Sequence, residues 1–388
     1  MQINKRLKNV AGSLTLAITA KAKELKAKGH DVVNFAGGEP DFNTPDFINN
    51  AAIEAIRSGF TKYTPSVGIA DLREIISKKF LQDNHLKYSP NQIVVSCGAK
   101  HSLFNLIQVL VDEGNEVLIP SPFWVSYPEM VKIAGGTPKF IQTTLDAQFK
   151  ITAEQLKKSV TKKTKCLVLN SPSNPTGMLY TKDELKAIAD VCVQKQLFVI
   201  SDEIYEKLVY NNEAYPSLGS LNEDIYHLTA TVNGVSKAYA MTGWRIGYFG
   251  ASQEIADYAK KLQDHSTSNP TSISQKAAVA ALQASQESIN TMRDEFKKRR
   301  DVMVSCLKEI PEIKFAVPQG AFYIFCDFSK IGSDANELAK RILEETNVAI
   351  IPGDGFGAKG YMRLSFATSV ERIREGTKRI QDWVKKNS

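Results

Sequence analysis

Through the middle of this chain, short runs of β-branched residues alternate with stretches of helical periodicity. That alternation constrains the fold more tightly than any other feature of the sequence. Strands are predicted at Ile93 to Ser96, Glu116 to Ile119, Lys165 to Leu169, Phe198 to Ser201, Leu228 to Val232 and Ile246 to Phe249. Between the third and fourth, Thr181 and Glu184 form a capping-box signature ahead of a helix running to about Lys195. Strands separated by helices in this order imply a parallel sheet covered by helices. Polar or glycine-containing turns follow several of the strands, and in open α/β sheets such turns lie at the carboxyl edge, where ligands bind.

After about Asn269 the pattern changes. A helical stretch from Ser272 to Glu309, with a break near Ser285, leads to strands near Lys314 to Val317 and Ala321 to Cys326. A helix from Asn336 to Glu345, strands at Val348 to Ile351 and Tyr361 to Phe366, and a basic final helix complete the chain. This order suggests a second, α+β domain, in keeping with the two or three domains of roughly 150 residues that 388 residues allow. Near the start, Leu14, Ile18, Ala22 and Leu25 are spaced as one face of a helix.

The formal net charge of +7 would hint at nucleic acid were it spread over a surface, but it is concentrated. Residues 1–30 hold Lys5, Arg6, Lys8, Lys21, Lys23, Lys26 and Lys28 against Glu24 alone, so the remainder is close to neutral. A solvated helix face is the better reading, and no nucleic-acid partner is expected. The five cysteines, an odd number with no CxxC pair, suit a reducing, cytoplasmic setting. The scattered histidines lack the spacing of a zinc site. No apolar run approaches the roughly 18 residues of a membrane span, and Thr15 and Thr19 break what would be a signal-peptide core. An unprocessed protein without a membrane partner is expected.

The densest chemistry lies in Ser236-Lys237-Ala238-Tyr239-Ala240-Met241-Thr242-Gly243-Trp244-Arg245. A lysine directly after a buried strand, among apolar neighbours, loses solvation, which favours the neutral nucleophilic amine needed for a Schiff base. Taken alone, such a lysine is usually a snorkelling surface residue. Its company changes that. Asp202 ends a hydrophobic strand with Tyr205 three residues on. Asn174 sits in the proline-bracketed turn Ser171-Pro172-Ser173-Asn174-Pro175. Arg363 lies in an otherwise apolar strand.

The sequence resembles the class I family of pyridoxal-phosphate aminotransferases and, within it, the bacterial aspartate aminotransferases, some of which also act on prephenate. The motifs that carry the resemblance occur in order along nearly the whole chain. They are Gly37-Gly38-Glu39-Pro40-Asp41-Phe42, Lys62-Tyr63-Thr64, Gly98-Ala99-Lys100, Phe123-Trp124-Val125-Ser126-Tyr127, Asn174-Pro175-Thr176-Gly177, Asp202-Glu203-Ile204-Tyr205, Ser236-Lys237, Gly243-Trp244-Arg245 and Arg363.

The resemblance implies a fold type I transferase: an α/β large domain, residues 49–285, with a mostly parallel mixed sheet sandwiched by helices, and a smaller α+β domain. The small domain would take residues 286–388 together with the N-terminal segment 1–48. It also implies that Lys237 bonds covalently to pyridoxal 5'-phosphate and later moves the substrate proton. Asp202 would keep the pyridine nitrogen protonated, Asn174 and Tyr205 would bind the phenolic oxygen, and Trp124 would stack on the ring. Gly98, Ala99, Lys100, Ser236 and Arg245 would hold the phosphate, with Tyr63 reaching it from the second subunit of a homodimer. Arg363 would grip the substrate α-carboxylate, helped by Asn174, Trp124 and Gly38.

Substrate choice is the less determined part. Related enzymes carry an N-terminal lysine associated with the distal carboxylate, whereas this chain reads Val10-Ala11-Gly12-Ser13. Lys100 is the substitute cation, with Thr15 as a polar helper. Aspartate with 2-oxoglutarate is the first expectation, and glutamate or aspartate with prephenate the second. The alternatives are aromatic or neutral amino acids, a C–S lyase on the same fold, or a non-catalytic cofactor-binding regulator. Gly353-Asp354-Gly355-Phe356-Gly357 lacks the strand-turn-helix context of a dinucleotide site and is expected to be a flexible loop beside the active site.

Overall fold

The computed structural model describes residues 4–12, 14–211 and 214–387, with the side chains of residues 5 and 14–17 outside the described set. Its main sheet has seven strands: Ile93–Ser96 (β1), Glu116–Ser121 (β2), Thr137–Gln142 (β3), Thr164–Asn170 (β4), Phe198–Asp202 (β5), Thr229–Gly234 (β6) and Gly247–Gly250 (β7). They lie side by side in the order β1, β7, β6, β5, β4, β2, β3. All run parallel except β7, which is antiparallel to both its neighbours. The strands β1 and β6 are buried along their whole length, as helices covering both faces require.

Six of these strands were legible as apolar runs. The seventh, β3, was not. Its sequence carries Pro138 and Lys139, it lies at the sheet edge, and most of it is exposed. Edge strands tolerate proline and charge, so the alternation that marks a half-buried strand is missing. The helix Lys182–Lys195 begins where its capping box predicts. Thr181 Oγ1 accepts from Glu184 N at 3.2 Å, and Glu184 Oε2 accepts from Thr181 N at 2.8 Å.

The register of the sheet assembles the chemistry. Asn170 and Asp202 are paired at the ends of β4 and β5. Gly234 at the end of β6 and Ser96 at the end of β1 both pair with Gly247, the first residue of β7. The reversed strand therefore starts at the edge where its parallel neighbours finish. This puts Arg245, just before β7, at the same edge as Lys237, just after β6.

Both chain ends contribute to a second region. Ile351–Pro352, Tyr361–Ser365, Tyr323–Asp327 and Lys314–Phe315 form a four-stranded antiparallel sheet, while Val33–Asn34 pairs in parallel with Val348–Ala349. One apolar cluster joins Val33 and Phe35 to Phe322, Met362, Phe366 and Trp383, and also takes in Ile204, Tyr205 and Leu208 after β5. The predicted break near Ser285 separates helices Ser272–Gln283 and Glu287–Lys308. The N-terminal stripe lies on helix Leu14–Ala27. There Ala22 is buried, Ile18 and Leu25 are partly buried, and the Leu14 side chain lies outside the described residues.

Candidate active site

A cavity of about 400 Å³ opens at the carboxyl edge of the main sheet. Its walls include Gly38, Ala99, Lys100, Trp124, Asn174, Asp202, Tyr205, Ser236, Lys237, Arg245 and Arg363. All were singled out in the sequence, and they come from widely separated segments. Two other candidates lie outside this wall. Gly98 is buried behind Arg245, and Tyr63 is 91% exposed on the surface.

Lys237 is half-buried, and its Nζ donates to Gly38 O at 2.6 Å. Burial is the main cause that lowers its pKa to about 8, and the Arg363 and Arg245 guanidiniums push in the same direction. Glu39 and Asp202 oppose the shift. The amine therefore becomes neutral well below the usual lysine range.

Asp202, only 3% exposed, accepts from Tyr127 Oη at 2.6 Å on Oδ2 and from Ile204 N at 3.3 Å on Oδ1. Burial pushes its pKa up to about 6 against the opposing effect of these two bonds and of Lys237. No hydrogen-bonded cation compensates this carboxylate among the described residues, so it presents an underused negative charge to the cavity.

Asn174 is held by two neighbours. Its N–H donates to Asn170 Oδ1 at 2.8 Å, and Asn170 Nδ2 donates to Asp202 O at 2.9 Å. The paired ends of β4 and β5 are thereby tied to the proline-bracketed turn. Its Oδ1 accepts from Arg363 Nη1 at 3.1 Å, and Arg363 Nη2 donates to Ala36 O at 3.0 Å. Arg363 Nε is buried with no partner among the described residues. The guanidinium is pinned between Tyr323, 4.4 Å from that ring's centroid, and Phe356 at 5.2 Å. A buried, aromatic-braced guanidinium on the cavity wall is suited to receiving a carboxylate.

On another wall, helix Ala99–Leu110 begins after Gly98 (φ 87°) with no side-chain cap. Arg245 donates to Thr242 O at 2.8 Å and to Cys97 O at 3.2 Å, which fixes its charge beside those free N–H groups. A Cβ on Gly98 would lie 2.3 Å from Arg245 Nη2, so only glycine leaves room for this approach. An open helix N-terminus beside an arginine is an anion cradle.

Several contributors were not assigned roles from the sequence. Tyr127 was legible only as part of a motif, three residues after Trp124. Its contact with Asp202 spans 75 positions. Asn170 closes its strand unremarked. Tyr323 Oη lies 3.1 Å from Tyr205 Oη across 118 positions. Thr19, Lys23 and Glu39 also line the cavity, whereas Thr15, the polar helper expected there, has its side chain outside the described residues. Lys100 Nζ lies 5.0 Å from the centroid of the Trp124 ring. The glycine-rich segment after Pro352 forms a short 3-10 turn, Gly353–Phe356, whose Phe356 is buried under Arg363.

Comparison with known proteins agrees with this architecture. The family model for aminotransferase class I and II matches residues 30–380. The aspartate aminotransferase of Bacillus subtilis (strain 168) is 48% identical over 393 residues, covering all of both chains. The aspartate/prephenate aminotransferase of Nitrosomonas europaea is 43% identical over 98% of this chain and 99% of its own. Among solved structures, the aspartate aminotransferase from Thermus thermophilus with maleate superposes with a TM-score of 0.95. It is 40% identical, covering 98% of this chain and 99% of that one. With the family model spanning most of its length, full-length similarity and a shared fold, the chain belongs to the class I and II aminotransferases.

Proposed function

We propose that the chain is a pyridoxal-phosphate-dependent aminotransferase that moves the amino group of L-aspartate to 2-oxoglutarate, with prephenate as a second acceptor. The carrying observation is the buried Arg363 guanidinium, which lines the same cavity as Lys237 and Asp202. The names of the relatives support the choice of aspartate.

The residues present fit the cofactor. The uncompensated Asp202 carboxylate suits a protonated ring nitrogen, the helix N-terminus with Arg245 and Ser236 suits a phosphate, and Lys237 offers an amine. Bound there, pyridoxal phosphate supplies a carbonyl carbon to receive the amino group and a ring that accepts the electron pair left by the departing proton. Lys237 Nζ would hold the cofactor and, once released, would take the proton from the substrate α-carbon and deliver it to the cofactor carbon that receives the amino group. Asp202 keeps a proton on the ring nitrogen. Asn174 and Tyr205 would hold the phenolic oxygen, and Trp124 would cover the ring. Arg363 would orient the α-carboxylate through its guanidinium, while Lys23 and Lys100, on the same cavity wall, would meet the second carboxylate.

The same reading implies a homodimer, in which Tyr63 of a second copy completes the phosphate site. It also implies a cytoplasmic setting and a small domain formed by residues 1–48 and 286–388 around a large domain of 49–285. The pairing of Val33–Asn34 with Val348–Ala349 supports that division. The five thiols are unpaired, and no helix among the described residues is long and apolar enough to cross a membrane.

The test is a half-reaction screen. Cofactor-loaded protein is mixed with aspartate, glutamate, phenylalanine or alanine without a keto acid, and its visible absorption is followed. Aspartate and glutamate should bleach the band fastest, and a band unmoved by every amino acid would overturn the proposal. Steady release of pyruvate and ammonia would point to a lyase instead. Addition of prephenate to the amino form of the protein tests the second acceptor.

A further inference from the structure

Directly behind the turn that carries Asp202 and Tyr205 lies a second buried cluster of ionisable groups, unused by the chemistry above. Glu203 Oε1 accepts from Ser201 Oγ at 2.8 Å and Ser217 Oγ at 2.9 Å, and its Oε2 accepts from Asn84 Nδ2 at 3.0 Å. Glu206 accepts from Lys79 Nζ and from Asn84 Nδ2. Lys79 Nζ also donates to Asn84 Oδ1 at 2.6 Å. Lys79, Asn84, Glu203 and Glu206 are all buried, and none of them lines the cavity.

The geometry is back to back. Asp202 and Tyr205 face the cavity, while the alternating Glu203 and Glu206 engage the cluster. Residues 203–208 form neither strand nor helix. Their backbone is held by Glu203 N to Val232 O at 2.9 Å, Glu206 N to Glu203 O at 3.0 Å and Leu208 N to Tyr205 O at 2.8 Å. Leu208 O also accepts from Ala321 N at 2.9 Å, and Ile204, Tyr205 and Leu208 pack into the apolar cluster, so the buried side-chain bonds of Glu203 and Glu206 add to these restraints on the opposite side of the turn. Lys79 and Asn84 belong to helix Ala70–Asn84, and Ser217 to a loop, so distant segments converge on one turn.

Burying ions is costly, and apolar residues of the same volume often stabilise a fold equally well. What a hydrogen-bonded ionic cluster adds is direction, because each bond fixes an angle as well as a distance. The charges are also balanced. Burial first, and then Glu206, pushes the Glu203 carboxyl up to about 8, which leaves Lys79 paired with Glu206 and, at 3.8 Å, with Asp83, itself paired with Lys207 at 2.9 Å.

We propose that Lys79, Asn84, Glu203 and Glu206 are positioning residues that set, from behind, the separation of the Asp202 carboxylate and the Tyr205 hydroxyl in the cavity. The inference rests on the cofactor reading above. It is tested on cofactor-loaded protein with the double variant Lys79→Met/Glu206→Gln, which removes both buried charges together and leaves Asp83 paired with Lys207.

The expected fall in kcat is roughly 10- to 100-fold, the size associated with a displacement of about 1 Å. KM for aspartate should stay within about threefold of wild type, since Arg363 is untouched. The pH midpoint of the bound cofactor's visible absorption should move by roughly one unit, because a nearby carboxylate and hydroxyl set the ring's proton affinity. A cluster that served stability alone would lower the melting temperature and leave that midpoint in place. Wild-type kcat and midpoint in the double variant therefore overturn the proposal. Should the double variant not fold, Ser217→Ala decides: it removes one hydroxyl from Glu203, a smaller shift of the midpoint supports the role, and the wild-type value refutes it. A wild-type protein without visible cofactor absorption would overturn the functional reading, and this inference with it. A normal wild-type band beside unmoved variants would overturn this inference alone.

Discussion

Replacing Asp202 by Asn should make the cofactor-free chain more stable while abolishing activity. The folded protein holds the Asp202 proton up to about pH 6, against an ordinary value of 3.8, because the carboxylate is buried without a cation bonded to it. Below pH 3.8 the group is protonated whether the chain is folded or not, and it contributes no difference. As pH rises from there to 6, the folded state retains a proton that the unfolded state has lost, so stability falls and then stays low. At about 1.4 kcal/mol per unit, the shift of roughly two units costs about 3 kcal/mol at neutral pH.

Asparagine carries no charge but offers one acceptor where Asp202 offers two, to Tyr127 Oη and Ile204 N. Losing one neutral hydrogen bond costs about 1 kcal/mol. The net gain is then about 2 kcal/mol above pH 7, or roughly 2–3 °C in melting temperature for a chain of this length. Near pH 4 the advantage disappears. The assay is calorimetry of stripped wild type and Asp202→Asn at pH 4.5 and 7.5, repeated with pyridoxal phosphate. With cofactor the order should reverse, since only the carboxylate gives a charge-assisted bond to a ring N–H. A stripped variant less stable than wild type at pH 7.5, or a difference that ignores pH, would refute the reasoning.

Three further outcomes follow from the same site. Arg363→Lys should lower kcat/KM for aspartate by about 100-fold, mainly through KM, because a point charge cannot reproduce a two-pronged guanidinium contact; an unchanged KM would contradict the assignment. The rate at which stripped protein takes up pyridoxal phosphate should rise with pH and level off above about 8, where Lys237 is neutral. Continued rise toward pH 10 would show that burial does not depress this amine. Lys23→Ala should raise KM for aspartate and glutamate by about tenfold and leave alanine turnover unaffected, as expected for a cation that meets only the second carboxylate. Equal effects on all three amino acids would assign Lys23 to the stability of its helix.

What was legible in the sequence, and what was not, divides along a physical line. Lys237, Asp202, Asn174 and Arg363 stood out because each is an anomaly within its own segment: a charge after, at the end of, or inside an apolar run, or, for Asn174, an amide in a proline-bracketed turn. A local pattern exposes a residue that breaks it. Tyr127, Asn170 and Tyr323 break no pattern. A tyrosine on a half-buried helix or an asparagine closing a strand is ordinary, and only the register that sets Asn170 beside Asp202 makes it a brace. The same limit hid the cluster behind the site. Nothing in the local sequence marks Glu203 and Glu206 as buried, and it is helix Ala70–Asn84 that brings Lys79 and Asn84 onto them. The edge strand β3 was lost for the opposite reason, since exposure removes the apolar signal by which strands are recognised. Lys23 lies between these cases. Its local pattern, a basic residue on a basic helix, argues for a solvated face, and its helix is nevertheless packed so that it reaches the cavity wall. Local sequence therefore reports the groups that line the cavity more readily than the groups that brace them, because bracing is done by contacts between segments from about thirty to more than a hundred residues apart.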